Sequence, residues 1–106
     1  MGAGRLTGKT IAFAVASEGV EQVELTGPWD TVVEAGGQPI LVSLRPGKVQ
    51  AFNHLDKGDE FTVDKTFEQV AASDFDALML PGGVANPDAL RMDANAVAFV
   101  RRFLPG

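Results

Sequence analysis

No cysteine occurs among the 106 residues. Disulfides, thiolate metal sites and a cysteine nucleophile are therefore excluded within this chain. Basic residues are scarce too: nine Lys and Arg stand against fourteen Asp and Glu, for a net charge of −5. Nucleic-acid binding needs Lys and Arg clustered against phosphates, and only Arg101 and Arg102 are adjacent. Such a pair near a helix C-terminus complements the helix dipole. No apolar run approaches the ~20 residues that span a bilayer. The N-terminal MGAGRLTGKT has nothing like the roughly 7–15-residue apolar core of a secretory signal. Neither a nucleic-acid nor a membrane partner is expected, and the expected location is the cytoplasm. Histidine appears once, as His54 in the polar stretch NHLDKGD, where a solvated loop residue is expected. No His, Asp and Glu grouping has metal-ligand spacing. Asp56, Asp59 and Glu60 do not follow a calcium loop. Neither metal nor cofactor is expected.

What is present reads as one small domain, 45% hydrophobic and 22% charged. TIAFAVA (10–16) and PILVSL (39–44) are nearly continuous apolar runs, the pattern of strands covered on both faces. Between them SEGVEQ turns the chain, and the pattern is helical from about Val20 to Ala35. There Leu25, Trp29, Val32 and Val33 form one stripe, ended by Gly36 and Gly37. VQAF (49–52) and EFTVD (60–64) predict a hairpin. Thr66 and Gln69 fit a capping box for a short helix over FEQVAASDF. ALML (77–80) is a third buried strand. Asn86-Pro87 suits a helix start, and Asp93 opens a last helix with Ala96, Phe99, Val100 and Phe103 on one face. The class is α/β with a mostly parallel sheet. A helix like the last one ordinarily crosses over to another parallel strand, yet here LPG follows. The sheet is expected to be incomplete, with ALML as an open apolar edge. Residues 1–9 form a flexible leader and 10–106 a single domain. AGRLTGKT loosely fits a phosphate loop, but such a loop follows a strand and opens a helix, whereas this one precedes a strand.

Two features carry chemistry. Glu21 and Glu24 lie three apart, which on a helix places them on one face. Pro28 cannot donate to the Glu24 carbonyl, so a kink or interruption is expected there. Both acids follow the first strand, at the sheet edge where α/β proteins build sites. LMLPGG (78–83) opens on the same edge. Gly82 and Gly83 permit unusual backbone conformations and bring amides close to a ligand, as preorganised oxyanion donors require.

The series IAFAVASEGVEQVELTGPWDTVVEAGG, FTVDKTFEQVAASDFDALMLPGG, NPDALR and VAFVRRF resembles the PfpI family, from about Lys9 to Phe103. Its members are described as intracellular proteases, deglycases and general stress proteins of the parkinsonism-associated deglycase superfamily. The resemblance implies a flavodoxin-like three-layer sandwich related to class I glutamine amidotransferases. It implies a cysteine nucleophile on a strand-to-helix turn, in a Cys-His-Gly sequence. Glu24 matches the glutamate that shares a proton with that thiol. Gly83, with Gly82 beside it, matches the glycine whose N–H faces the oxyanion. Glu21 matches a second, less uniform acidic position near the site or the dimer interface. Substrates would be small carbonyl compounds, their adducts on proteins, or peptide bonds, and assembly a homo-oligomer (dimer or hexamer). The nucleophile, its histidine and the C-terminal part of the sheet are absent from these residues. The expectation is the N-terminal part of a cysteine hydrolase, inactive alone, its remainder lying on a complementary C-terminal chain or removed by cleavage, truncation or frameshift. The alternative is a noncatalytic fragment, or a holdase-like stress protein, acting through partner assembly.

Overall fold

β1 (Thr10–Ala14) runs through the middle of the molecule, and its alternation organises everything else. The structure, a computed structural model, describes residues 4–82, 90, 91 and 93–103. From Ile11 to Ala16 every residue is buried. Successive side chains of a strand point to opposite faces. Ile11, Phe13 and Val15 therefore enter one core, while Ala12, Ala14 and Ala16 enter another. That double burial is why TIAFAVA reads as a continuous apolar run.

β1 pairs in parallel with β3 (Gln38–Ser43), Thr10 opposite Gln38 through Ala14 opposite Val42. On its other side it pairs in parallel with β7 (Ala77–Met79). β6 (Lys65–Thr66) extends the sheet beyond β3, for the order β6-β3-β1-β7. One face is covered by α1 (Gln22–Glu34), which brings Leu25 and Val32 to Phe13 and Leu41. Trp29 stacks at a tilt on Phe13, with ring centroids 5.0 Å apart. The other face is covered by α2 (Ala94–Arg101), whose Ala96 and Phe99 are buried with Val42 and Phe67. The result is a three-layer α/β sandwich with a parallel sheet.

Several expectations hold in detail. Asp93 caps α2 by accepting the Ala96 N–H at 2.9 Å. Gly36, at φ +87°, lets the chain leave α1, and Gly36 and Gly37 donate to the carbonyls of Val33 and Val32. Within residues 1–9, described from Gly4 onward, Leu6 packs on the first core and donates to the Ala35 carbonyl at 2.8 Å, a tie that the flexible-leader expectation does not include.

Four details differ from the sequence reading. SEGVEQ is not a turn into a helix. Glu18–Glu21 forms β2, which pairs in parallel with β4 (Lys48–Asn53), and α1 begins only at Gln22. The buried Val20 holds that strand in the core, with Gly19 at φ +105° accommodating a bulge. Second, α1 runs on through Pro28 without interruption. Third, Val33 lies off the buried stripe, 53% exposed against 7% for Val32. Last, FEQVAASDF is no α-helix: a turn at 67–69 is followed by a short 3-10 turn, Ala72–Asp74. Gln69 does reach back to the Thr66 N–H at 2.9 Å. Phe67 and Phe75, however, both pack on Phe99, at 5.4 and 5.7 Å between centroids. Eight residues apart, they would point some 80° apart on a helix at 3.6 residues per turn, so the segment bends to serve both contacts. The Asn86-Pro87 helix start lies outside the described residues.

β4 and β5 (Asp56–Thr62) form the expected antiparallel hairpin, β5 starting earlier than EFTVD suggests. With β2 they make a second sheet, β2-β4-β5. The valine and alanine of β4, Val49 and Ala51, point inward and bind this sheet to the α1-side core.

Candidate functional site

β1 and β7 are parallel, so the segments leaving them emerge on one edge of the sheet. From β1 the chain passes through β2 into α1, whose first turn carries Glu24. A carboxylate there complements the positive end of the helix dipole. From β7 the chain passes through the buried Pro81 to Gly82. The two segments meet. A Cβ built on Gly82 would stand 2.5 Å from Glu24 Oε1 and 3.2 Å from its Cδ. No side chain fits without displacing the carboxylate. Gly82 is not among the residues with positive φ, so close approach, not backbone latitude, favours glycine here. Gly83 lies outside the described residues.

Glu21 stands outside the helix. As the residue before α1 it has extended backbone, φ −73° and ψ 124°, and its side chain does not cap α1. Glu21 and Glu24 therefore do not share a helix face as the spacing suggests. The Glu21 N–H donates to the Gly82 carbonyl at 3.0 Å. Its carboxylate accepts the backbone N–H of His54, Oε2 at 3.0 Å. His54 opens the two-residue hairpin loop at φ +61° and is exposed. Glu21 thus ties the hairpin tip and the Gly82 segment to the start of α1, beside Glu24. His54 sits in the polar loop where the sequence places it, but its backbone belongs to this site.

A second tie escaped the sequence reading. The Gln22 side-chain amide donates to Asp59 Oδ2 at 2.9 Å and accepts the Asp59 N–H at 2.8 Å. It lies over Gly58, where any Cβ would collide with it. The glycine of DKGD was the available signal, since a strand-interior glycine often marks a close approach.

A wider concavity, about 650 Å³, lies elsewhere, between the Phe67–Asp76 segment and α2. Its one carboxylate, Asp76, is already engaged with the Thr10 N–H. Chemistry favours the smaller Glu24–Gly82 junction, where an exposed acid meets backbone with no side chain between. Among the described residues, no group of three or more His, Asp or Glu is placed to hold a metal ion. None of their helices is long and apolar enough to cross a membrane.

An acid on the first helix turn against a glycine segment after a parallel strand, within a three-layer sandwich, defines a class of α/β protein with its site at the strand ends. The chain belongs to the DJ-1/PfpI family, whose model matches residues 9–106. It is 38% identical over 97 residues to Protein/nucleic acid deglycase 2 of Escherichia coli, covering 91% of this chain and 54% of that protein. It is 36% identical over 92 residues to Deglycase PfpI of Pyrococcus furiosus, covering 87% and 52%. A two-domain protein of Anabaena variabilis, with DJ-1/ThiJ/PfpI-like and ferritin-like domains, superposes with a TM-score of 0.79 at 28% identity, covering 89% of this chain and 26% of that one. The family resemblance and the flavodoxin-like class are thus both established. The chain spans about half the length of the curated relatives it matches.

Proposed function

We propose that this chain supplies the Glu24 and Gly82 side of a PfpI-type cysteine hydrolase. Its 106 residues contain no cysteine, so the nucleophile comes from polypeptide outside them. In this reading a thiolate adds to a substrate carbonyl carbon, and the carbonyl oxygen takes the negative charge. Backbone N–H groups at Gly82 and Gly83 stabilise that oxyanion, and Glu24 exchanges the proton of the thiol. The observation that supports this is the approach of the Glu24 carboxylate to Gly82, close enough that a Cβ there would stand 2.5 Å from Oε1. The deglycase names of the relatives support an aldehyde or its protein adduct as substrate, ahead of a peptide bond. The same reading carries a cytoplasmic location and a stress-response role. It also carries assembly as a dimer or hexamer, or with a complementary C-terminal chain.

The test is reconstitution in trans. The chain is mixed with a polypeptide covering the remaining half of a relative, and methylglyoxal consumption is followed before and after thiol alkylation. Turnover that requires both parts, disappears on alkylation and falls at least tenfold with Glu24→Gln is expected. Turnover by the 106 residues alone that survives alkylation would overturn the cysteine mechanism.

A second reading, a noncatalytic or holdase-like stress protein, is favoured by one observation. β7 is an edge strand among the described residues, and Leu80 beside it is 50% exposed. Suppression of client aggregation by the chain alone, lost in Leu80→Lys, would support it.

A further inference from the structure

α1 also walls a cavity that involves none of Glu21, Glu24 and Gly82. It measures about 260 Å³ and lies between α1, β3 and β5. Its floor is apolar. Leu25 and Leu41 are buried there, with Trp29 and Phe61 half-buried against the same core. Trp29 is held in place by its ring contact with the fully buried Phe13. The rim carries two carboxylates, Asp30 and Asp64.

Neither carboxylate pairs with a cation among the described residues. No Lys, Arg or His lines the cavity. The Asp30 carboxylate has no hydrogen-bond or ion-pair partner among the described residues. Asp64 uses Oδ2 to accept the Leu41 N–H at 2.8 Å, and its other oxygen is open. An anion entering this space meets two like charges. A neutral apolar molecule gains nothing from the two exposed carboxylates, which stay solvated at the rim. An organic cation uses floor and rim together: its ammonium meets a rim carboxylate, its body covers the leucines, and Trp29 and Phe61 are aromatic rings of the kind that attract a cation. The volume is small beside the roughly 300–1,000 Å³ of ordinary ligand pockets, which limits the occupant to about one ring.

We propose that this cavity binds a small primary amine on an apolar body of about one ring. Trp29 is the only tryptophan in the chain, so its emission reports occupancy directly. The 106-residue chain is titrated with 2-phenylethylamine, with 2-phenylethanol and with 3-phenylpropionate. A saturable change in Trp29 emission is expected with the amine, at least tenfold weaker with the alcohol, and absent with the carboxylate. Asp30→Asn is the informative variant, because Asp30 is exposed and holds nothing in the fold. It should weaken the amine at least fivefold while leaving the melting curve unchanged. Glu34→Gln, an exposed acid at the end of α1 outside the cavity, should leave the affinity as it was. Equal responses to amine and alcohol, no effect of Asp30→Asn, or an equal effect of Glu34→Gln overturns the proposal.

Discussion

Gly82 lies so close to Glu24 that a methyl group on its Cα would stand 2.5 Å from the carboxylate oxygen. Gly82→Ala must therefore push Glu24 aside or bend the segment after β7. Overpacking of this kind costs about 1–3 kcal/mol, and the exposed side of Glu24 should place the loss near the low end. Denaturant melts of Gly82→Ala, Glu24→Ala and the pair check this. The double variant should recover most of the Gly82→Ala loss, because the atoms in conflict are gone. Additive losses would mean that the two residues do not touch.

Glu21 holds the hairpin tip through the His54 N–H. Glu21→Ala should cost about 1 kcal/mol, below the roughly 1.5–3 kcal/mol of hydrogen bonds to charged groups, since the bond is at the surface. Its specific signature is local: the His54 amide should exchange with solvent at least tenfold faster, while the amides of β1 stay protected. Uniform loss of protection would make Glu21 a general stabiliser and not a brace for the tip.

His54 itself has φ +61° in the two-residue loop between β4 and β5. That region costs a non-glycine residue about 1–2 kcal/mol, and glycine is favoured at such loop positions. Glycine loses more chain entropy on folding, so His54→Gly should stabilise by only about 0.5–1 kcal/mol. A higher melting temperature checks this. A lower one would show that the imidazole makes a contact worth more than the strain.

Val32 and Val33 show how far the sequence could be read. Both fit the apolar stripe of α1, yet Val32 is 7% exposed and Val33 53%. Val33→Lys should shift stability by no more than about 0.5 kcal/mol, while Val32→Ala should cost roughly 1–3 kcal/mol. Equal losses would contradict the placement of α1. The stripe was legible because Leu25, Trp29 and Val32 follow a helical period, but that period admits Val33 as readily. β1, β3, the hairpin and the Asp93 cap were legible for the same kind of reason: each announces itself within a few residues. β2 was not. Its strand character comes from pairing with β4, some thirty residues away, and Glu18–Glu21 alone reads as a turn. The bent 67–75 segment is set by Phe99, a partner equally remote. The candidate site divides in the same way. Glu24 and Gly82 were found from motif and sheet edge, whereas the destination of the Glu21 carboxylate depended on a loop its own neighbourhood does not mention.

The edge of the main sheet gives the last prediction. β7 pairs with β1 on one side only among the described residues, and Ala77, Leu78 and Met79 are all only half-buried. Leu80 follows at 50% exposure, and an apolar groove of about 210 Å³ runs beside it along Val97 and Val100. An apolar strand with unpaired backbone on one side is a template for another strand. The chain alone should therefore self-associate, with a sedimentation coefficient that rises with concentration. Leu80→Lys puts a charge on that edge, where natural edge strands carry one to prevent pairing, and should shift the chain toward monomer without lowering its melting temperature. Val33→Lys is the control, since Val33 is 53% exposed at the far end of α1 from the Glu24–Gly82 junction. It should leave the association as it was. A chain that sediments as a monomer at every concentration, or that responds equally to both lysines, would show that the β7 edge does not recruit a partner strand.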